Sequence, residues 1–271
     1  MSHTLIMRLA GPMQSWGVSS RFGIRETLSE PSKSGVIGLL CAALGWDRAA
    51  PSHPIAGKSC TLTDLSAMPF GVRVIREGIL RRDYHTAQNV LRAKAKLKPG
   101  KPANPGDLQD TVLSERFYLS DAYFLVGFES PDEALLLALE TALANPHWPL
   151  SLGRKAFVPS WPVCFRQSGE ESSSGVLPGS LATALLTVID PVLVTGIANN
   201  KRVLSADLAT RTLRLITDTD TASSNTATLL KSAGFVPVSR TQRADVPLSF
   251  EPRRFLPREV ITYMHPRQQP D

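Results

Sequence analysis

Between Pro131 and Pro146 the chain places Leu135, Leu136, Leu139 and Leu143 at the spacing of one helical face. The two prolines bound the segment where a helix can start and must stop, so the period predicts a helix over about 132–144. A second apolar helix is expected over 34–46, closed near Gly45. The other apolar runs are too short for helices and read as strands: 4–10, ended by Gly11 and Pro12; 70–77, with Val72, Val74 and Ile75; 123–128; and 161–165.

Taken in order these segments give strand, helix, strand, strand, helix, strand. That is the split βαββαβ order of ferredoxin-like domains and of RRM modules, so an α+β palm is expected over residues 1–165. Residues 81–118 leave this frame between the second and third strands as a protruding thumb. Residues 99–110, rich in Pro, Gly, Asn and Asp, suit its tip. Residues 166–271 are expected as a C-terminal extension. In it 169–180 and 217–228 are rich in Ser, Thr and Gly and read as mobile loops flanking an ambiguous stretch, 184–216.

With 42% hydrophobic and 20% charged residues the composition is globular, and no apolar run approaches the ~18 residues of a membrane span. Arg8, Gly11 and Pro12 interrupt the apolar stretch at the N-terminus, so no secretory signal is expected and the chain is expected to be cytoplasmic. Cys41, Cys60 and Cys164 form no Cys-x-x-Cys pair and read as reduced, mostly buried thiols. The net charge is +6, and residues 81–101 hold seven cations against the single acid Asp83, a surplus equal to the whole chain's. Such a stripe is the footprint of a polyanion site, or else a solvated basic loop.

Other chemistries find no pattern. Gly57, Lys58 and Ser59 resemble the end of a phosphate-binding loop, but its first glycine would fall at Ser52, and Pro54 interrupts it. Asp218 and Asp220 begin like a calcium loop, yet its sixth position is Ser223 and its twelfth Leu229, leaving a polar loop. His3, His53, His85, His147 and His265 have no metal-ligand spacing, and no metal or cofactor is expected.

Two motifs bear on anions and bases. RLAGPMQSWG (8–17) offers Met13, Gln14 and Trp16 on a loop after a strand; Trp16 reads as a stacking surface or as a buried core residue. PSKSGVIG (31–38) puts Ser32, Lys33, Ser34 and Gly35 at a helix start, either a phosphate cradle or an ordinary serine cap.

With PSKSGVIGLLCAALG (31–45), RDYHT (82–86), RFYLSDA (116–122), LGRK (152–155), and PRRF (252–255) with Arg258 and Glu259, these motifs resemble, in order, those of the CasD family of type I-E CRISPR Cascade. They span most of the chain, with a family-like end at 247–265; residues 81–118 and 166–245 are longer than the family leads one to expect. The resemblance implies a non-catalytic crRNA-binding subunit that holds the 5′ handle and caps the backbone filament. Its thumb would lie beside the adjacent backbone subunit and kink the RNA. The large subunit, and target DNA bound through the complex, are the other implied partners; no membrane is. Met13, Gln14, Trp16, Arg21, Arg25, Ser32, Lys33, Ser34, Gly35, Arg81, Arg82, Tyr84, His85, Arg92, Lys94, Lys96, Arg116 and Arg154 are the residues expected to meet RNA. A rival reading is a metal-independent endoribonuclease processing repeat RNA, with Tyr84 and His85 as acid or base. A third is an RRM-type RNA binder outside CRISPR.

Overall fold

A computed structural model describes residues 1–17, 20–21, 23–91, 105–166, 173–188, 214–218 and 225–265. The chain begins with β1 (His3–Ala10), then the short strands β2 (Met13–Gln14), β3 (Ser20–Arg21) and β4 (Ile24–Arg25), and enters α1 (Lys33–Leu44). A small hairpin, β5 (Ser52–Ile55) and β6 (Lys58–Thr61), leads to α2 (Leu62–Ala67). Next come β7 (Phe70–Arg76), the long strands β8 (Ile79–Leu91) and β9 (Leu108–Ser120), β10 (Tyr123–Ser130) and α3 (Glu133–Ala144). The remainder comprises β11 (Val176–Pro178), α4 (Leu181–Thr187), β12 (Arg214–Asp218), α5 (Asn225–Ser232), β13 (Val236–Phe250) and β14 (Arg253–Met264). It is a mixed α/β fold, mostly antiparallel sheet.

The main sheet runs β11-β1-β10-β7-β12-β14-β13, every pairing antiparallel. Burial of both faces explains why β1 and β10 read as near-continuous apolar runs. Leu5, Met7 and Leu9 of β1 and Phe124, Val126 and Phe128 of β10 pack with α1 and α3, whereas Ile6 and Leu125 pack with α4. α1 ends at Gly45, whose φ of 70° is the left-handed cap that glycine adopts without a Cβ clash. α3 begins with the Asp132 side chain accepting from the Leu135 N–H, just after Pro131. No helix among the described residues is long and apolar enough to cross a membrane.

Two expectations are corrected here. The run 161–165 is not a strand: Cys164 makes only an isolated bridge with Met7, and the strand beside β1 is β11. Pro162 has no N–H to give a ladder, which accounts for the break. Within 217–228, read as a loop, β12 ends at Asp218 and α5 begins at Asn225. β12 is held between β7 and β14, so tertiary pairing overrides its polar composition. The long β8–β9 pair, in the segment expected as a thumb, has a simple origin. β7 and β10 are neighbours in the main sheet, and β8 and β9, which continue them, carry the same hairpin outward.

Candidate nucleic-acid interface

β9 organises a second sheet. One edge pairs with β8 from Ser120 to Leu108; the other pairs with β2 at its base and, in parallel, with β4 at Glu115 and Arg116. Cross-strand partners share a face and neighbours along a strand do not. One face therefore carries Arg81, Asp83 and His85 with Arg25, Arg116 and Tyr118. The other carries Leu80, Arg82 and Tyr84 with Ile24, Glu115 and Phe117.

Arg154 joins the first face from the loop after α3. Its Nη2 donates to the Phe117 carbonyl at 2.9 Å and to the Arg25 carbonyl at 3.3 Å, and its guanidinium lies over the Phe157 ring. The loop that delivers it is locked to the N-terminal motif: the Ser15 N–H donates to the Leu152 carbonyl, and the Phe157 carbonyl accepts from Leu152. Gly153 has a φ of 96°, and a Cβ there would stand 1.8 Å from the Ser15 carbonyl oxygen, so only glycine fits. Burial, and then the neighbouring Arg116 and Arg25, draw the Arg154 guanidinium below its ordinary range, with Asp83 opposing. Guanidinium groups stay protonated regardless, so three like charges from three chain segments face one another with Asp83 as the nearby acid. Arg116 donates to the Ser114 hydroxyl, and His85 Nδ1 lies 3.6 Å from the Asp83 carboxylate. On the opposite face Arg82 pairs with Glu115 at 3.4 Å, and Tyr84 is exposed.

The N-terminal motif lies elsewhere than expected. Trp16 is 1% exposed and Gln14 0%. Gln14 Nε2 donates to the Leu9 and Ala122 carbonyls and its Oε1 accepts from Trp16 Nε1, so amide and indole are spent on one another and on the backbone. Stacking by Trp16 and the RNA contact expected of Gln14 are thus corrected to core roles, and Met13 is half-buried against the same core.

The helix start is also closed. Ser32 is buried and accepts from the Gly35 N–H, Ser34 is half-buried, and Gly35 lies against Trp16, where a Cβ would come within 3.0 Å of the ring. The anion at this helix N-terminus is Asp245 of β13, whose carboxylate accepts from the Lys33 N–H at 2.9 Å. Lys33 Nζ reaches Asp218 at 3.1 Å, and Arg258 pairs with both Asp218 and Asp245. Two cations and two carboxylates thus form a buried neutral quartet, with the Arg258 guanidinium over the Phe70 ring. Burial holds the Lys33 ammonium below its ordinary range against the pull of Asp218. The phosphate-cradle role for Ser32, Lys33 and Gly35 is corrected accordingly: an internal carboxylate fills the place.

Arg92, Lys94 and Lys96, with Lys98 and Lys101 of the basic stripe, lie outside the described residues. Arg21 pairs through its backbone with Ile24 in the β3–β4 turn beside β9. Sequence reasoning missed Asp218 and Asp245 as the partners of Lys33, and Arg258 as the second cation that they share.

Residues 4–260 match the protein family Cas_Cas5d, described as CRISPR-associated protein (Cas_Cas5). The chain belongs to this Cas5 family. Within it, the likeness to CasD that the motifs implied is borne out: the chain is 35% identical to CRISPR system Cascade subunit CasD of Escherichia coli (strain K12) over 169 residues, 58% of this chain and 67% of that protein. A solved structure described as "Crystal structure of Cas protein" is 30% identical with a TM-score of 0.58, covering 98% of this chain and 96% of that one. A chain of a "CRISPR RNA-guided surveillance complex" is 29% identical with a TM-score of 0.56, covering 97% and 90%.

Proposed function

We propose that this chain is a crRNA-binding subunit of a CRISPR Cascade surveillance complex, acting in antiviral defence by binding and not by catalysis. The observation that carries the reading is the convergence of Arg25, Arg116 and Arg154 on one face of the thumb sheet, with Asp83 as the acid among them. Fixed guanidinium forks with surplus positive charge suit consecutive phosphates of a single strand. Arg81 shares that face, and the basic stripe lies further along the same hairpin.

The N-terminal frame is a ferredoxin-like palm in this reading. Its support is the order β11-β1-β10-β7, which is fourth, first, third, second for a split βαββαβ unit with α1 and α3 on one face. The palm and thumb hold the 5′ handle of crRNA. The opposite thumb face, where Leu80, Tyr84 and Ile24 are about half exposed, suits the adjacent backbone subunit. The large subunit and target DNA join through the assembly. Alternation along β8 favours binding over cleavage, because Tyr84 and His85 face opposite sides and do not act together on one phosphate.

The test replaces Arg25, Arg116 and Arg154 with Ala and measures crRNA binding across a salt series. Losing three phosphate contacts should flatten the log-log slope by about 2, at ~0.7 per contact on a single strand. An unchanged slope refutes the arginine face. Incubation with repeat RNA should leave the RNA intact, and specific cutting abolished by His85→Ala would establish the ribonuclease instead.

A further inference from the structure

Phosphate contacts hold a strand but cannot tell one nucleotide from the next, because every nucleotide presents the same phosphate. Asp83 is out of place on a face built for phosphates. It lies among Arg25, Arg116 and Arg154, with Arg81 and His85 flanking it on its own strand. A carboxylate only accepts hydrogen bonds and a phosphate has none to give, so Asp83 repels the backbone that the arginines attract.

Its surroundings set it apart from a counter-ion. Asp83 stands directly across from Arg116, in a row that runs on to Arg25. Yet Arg116 Nε donates to the Ser114 hydroxyl at 3.0 Å, and among the described residues Asp83 makes ion-pair contact with His85 alone, Oδ2 to Nδ1 at 3.6 Å. Glu115 and Glu30, by contrast, each lie against an arginine, Arg82 at 3.4 Å and Arg214 at 2.8 Å. The Asp83 side chain is 50% exposed, and no described residue donates a hydrogen bond to its Oδ1. An acceptor with negative charge is thus left open beside a row of cations.

From this we infer that Asp83 reads a base: its carboxylate accepts from the exocyclic amino group of one unpaired handle nucleotide, an adenine, cytosine or guanine, whose phosphate lies on the arginines. Neighbouring strands are ~4.8 Å apart, so Asp83 stands about 5 Å from Arg116 and about 10 Å from Arg25 along the row, the reach from a phosphate to the edge of its own base. Single-stranded bases are splayed out and open to such contacts. The same chemistry excludes uracil, which has no amino group and whose pairing-edge N–H lies between two carbonyl oxygens that repel a carboxylate. An unpaired charge also rejects a strand that offers it no donor, so the group that weakens general RNA binding supplies specificity. The inference rests on the arginine face's being where crRNA lies.

The experiment measures binding of the full chain to crRNA and to a set of crRNAs in which each adenine, cytosine or guanine of the handle is replaced singly by uridine. For the parent protein one replacement should cost about tenfold or more in affinity, as for the loss of one specific base contact. In Asp83→Ala that same replacement should cost less than about twofold while the others keep their effect, which is the coupling between residue and base. Against RNA that already carries uridine there, Asp83→Ala should bind as well as the parent or better, because a repulsion is removed. The melting temperature should stay within about 2 °C, since Asp83 is half exposed on the edge strand β8. Should Asp83→Ala fail to fold, Asp83→Asn decides: a neutral acceptor is about half as strong as a charged one, so the tenfold discrimination should drop to about threefold. If loss of the carboxylate shifts every RNA by one common factor, or shifts none, the inference is overturned and Asp83 is a charge balance. Loss of the same discrimination in His85→Ala also overturns it and assigns the reading to the imidazole. Failure of the arginine-face reading would appear as an unchanged salt slope in the triple arginine variant, whereas failure of this inference leaves that slope flattened.

Discussion

Lys33 separates two pictures of the start of α1, one facing RNA and one sealed, and Lys33→Met tests them. The substitution keeps an unbranched side chain one atom shorter and removes its charge, leaving Asp218, Asp245 and Arg258 buried with one carboxylate in excess. Breaking a buried pair by deleting one partner costs about 3–5 kcal/mol. At ~2.1 cal/mol/K per residue, unfolding 271 residues carries an entropy of ~0.57 kcal/mol/K, so the melting temperature should fall by about 5–9 °C. Adding Asp218→Asn restores neutrality and should recover part of that loss, with a coupling of ~1–3 kcal/mol in a double-mutant cycle. The assay is thermal melting of the four proteins, with crRNA affinity measured on the folded fraction. A Lys33→Met protein that melts like its parent but binds RNA more weakly would refute the sealed helix start.

Four further outcomes are expected. Burial pushes the Cys41 thiol up to about 12 and the Cys60 thiol up to about 11, so iodoacetamide at pH 8 should label neither until the protein unfolds. Because the folded Cys41 pKa is raised, its contribution is complete below the unfolded thiol's ~8.5 and is lost at up to ~1.4 kcal/mol per pH unit as pH rises toward 12; Cys41→Ala should remove that slope in alkaline denaturant melts. Gly153→Ala, forced into a left-handed φ and against the Ser15 carbonyl, should cost about 1–3 kcal/mol in chemical denaturation and weaken crRNA binding by misplacing Arg154. RNA affinity should be constant from about pH 6 to 9 because guanidinium does not titrate there, and a fall in affinity within that range would refute the arginine face.

The strands and helices that carry strong periods were legible in the sequence, because Pro131, Gly45 and the Leu135–Leu143 period act locally. The fourth strand was misplaced, because three residues, Val176–Pro178, gain their ladder only from the edge of β1. β12 was invisible for the same reason: Arg214–Asp218 is a strand through its neighbours, not through its composition. In the candidate site, Arg25, Arg116 and Arg154 were identifiable by charge and motif, but their meeting depends on the parallel pairing of β4 with β9 and on Gly153. Trp16, Gln14 and Lys33 were singled out by chemistry that suits RNA. The same chemistry suits burial when the partners are Leu9, Ala122, Asp218 and Asp245, and all of these but Leu9 are distant in sequence.

The quartet also sets an order of events during synthesis. Lys33 and Asp245 are 212 residues apart, so at ~5–20 residues per second the nascent helix waits about 10–40 s for its counter-charges. Until β12 and β13 leave the ribosome, the start of α1 is an uncompensated cation beside a bare helix end, in a cell crowded with nucleic acid. Translation thus makes late strands the seal on one of the first helices, and a chain cut short before Asp218 would emerge with an anion-hungry helix end that the finished protein does not possess.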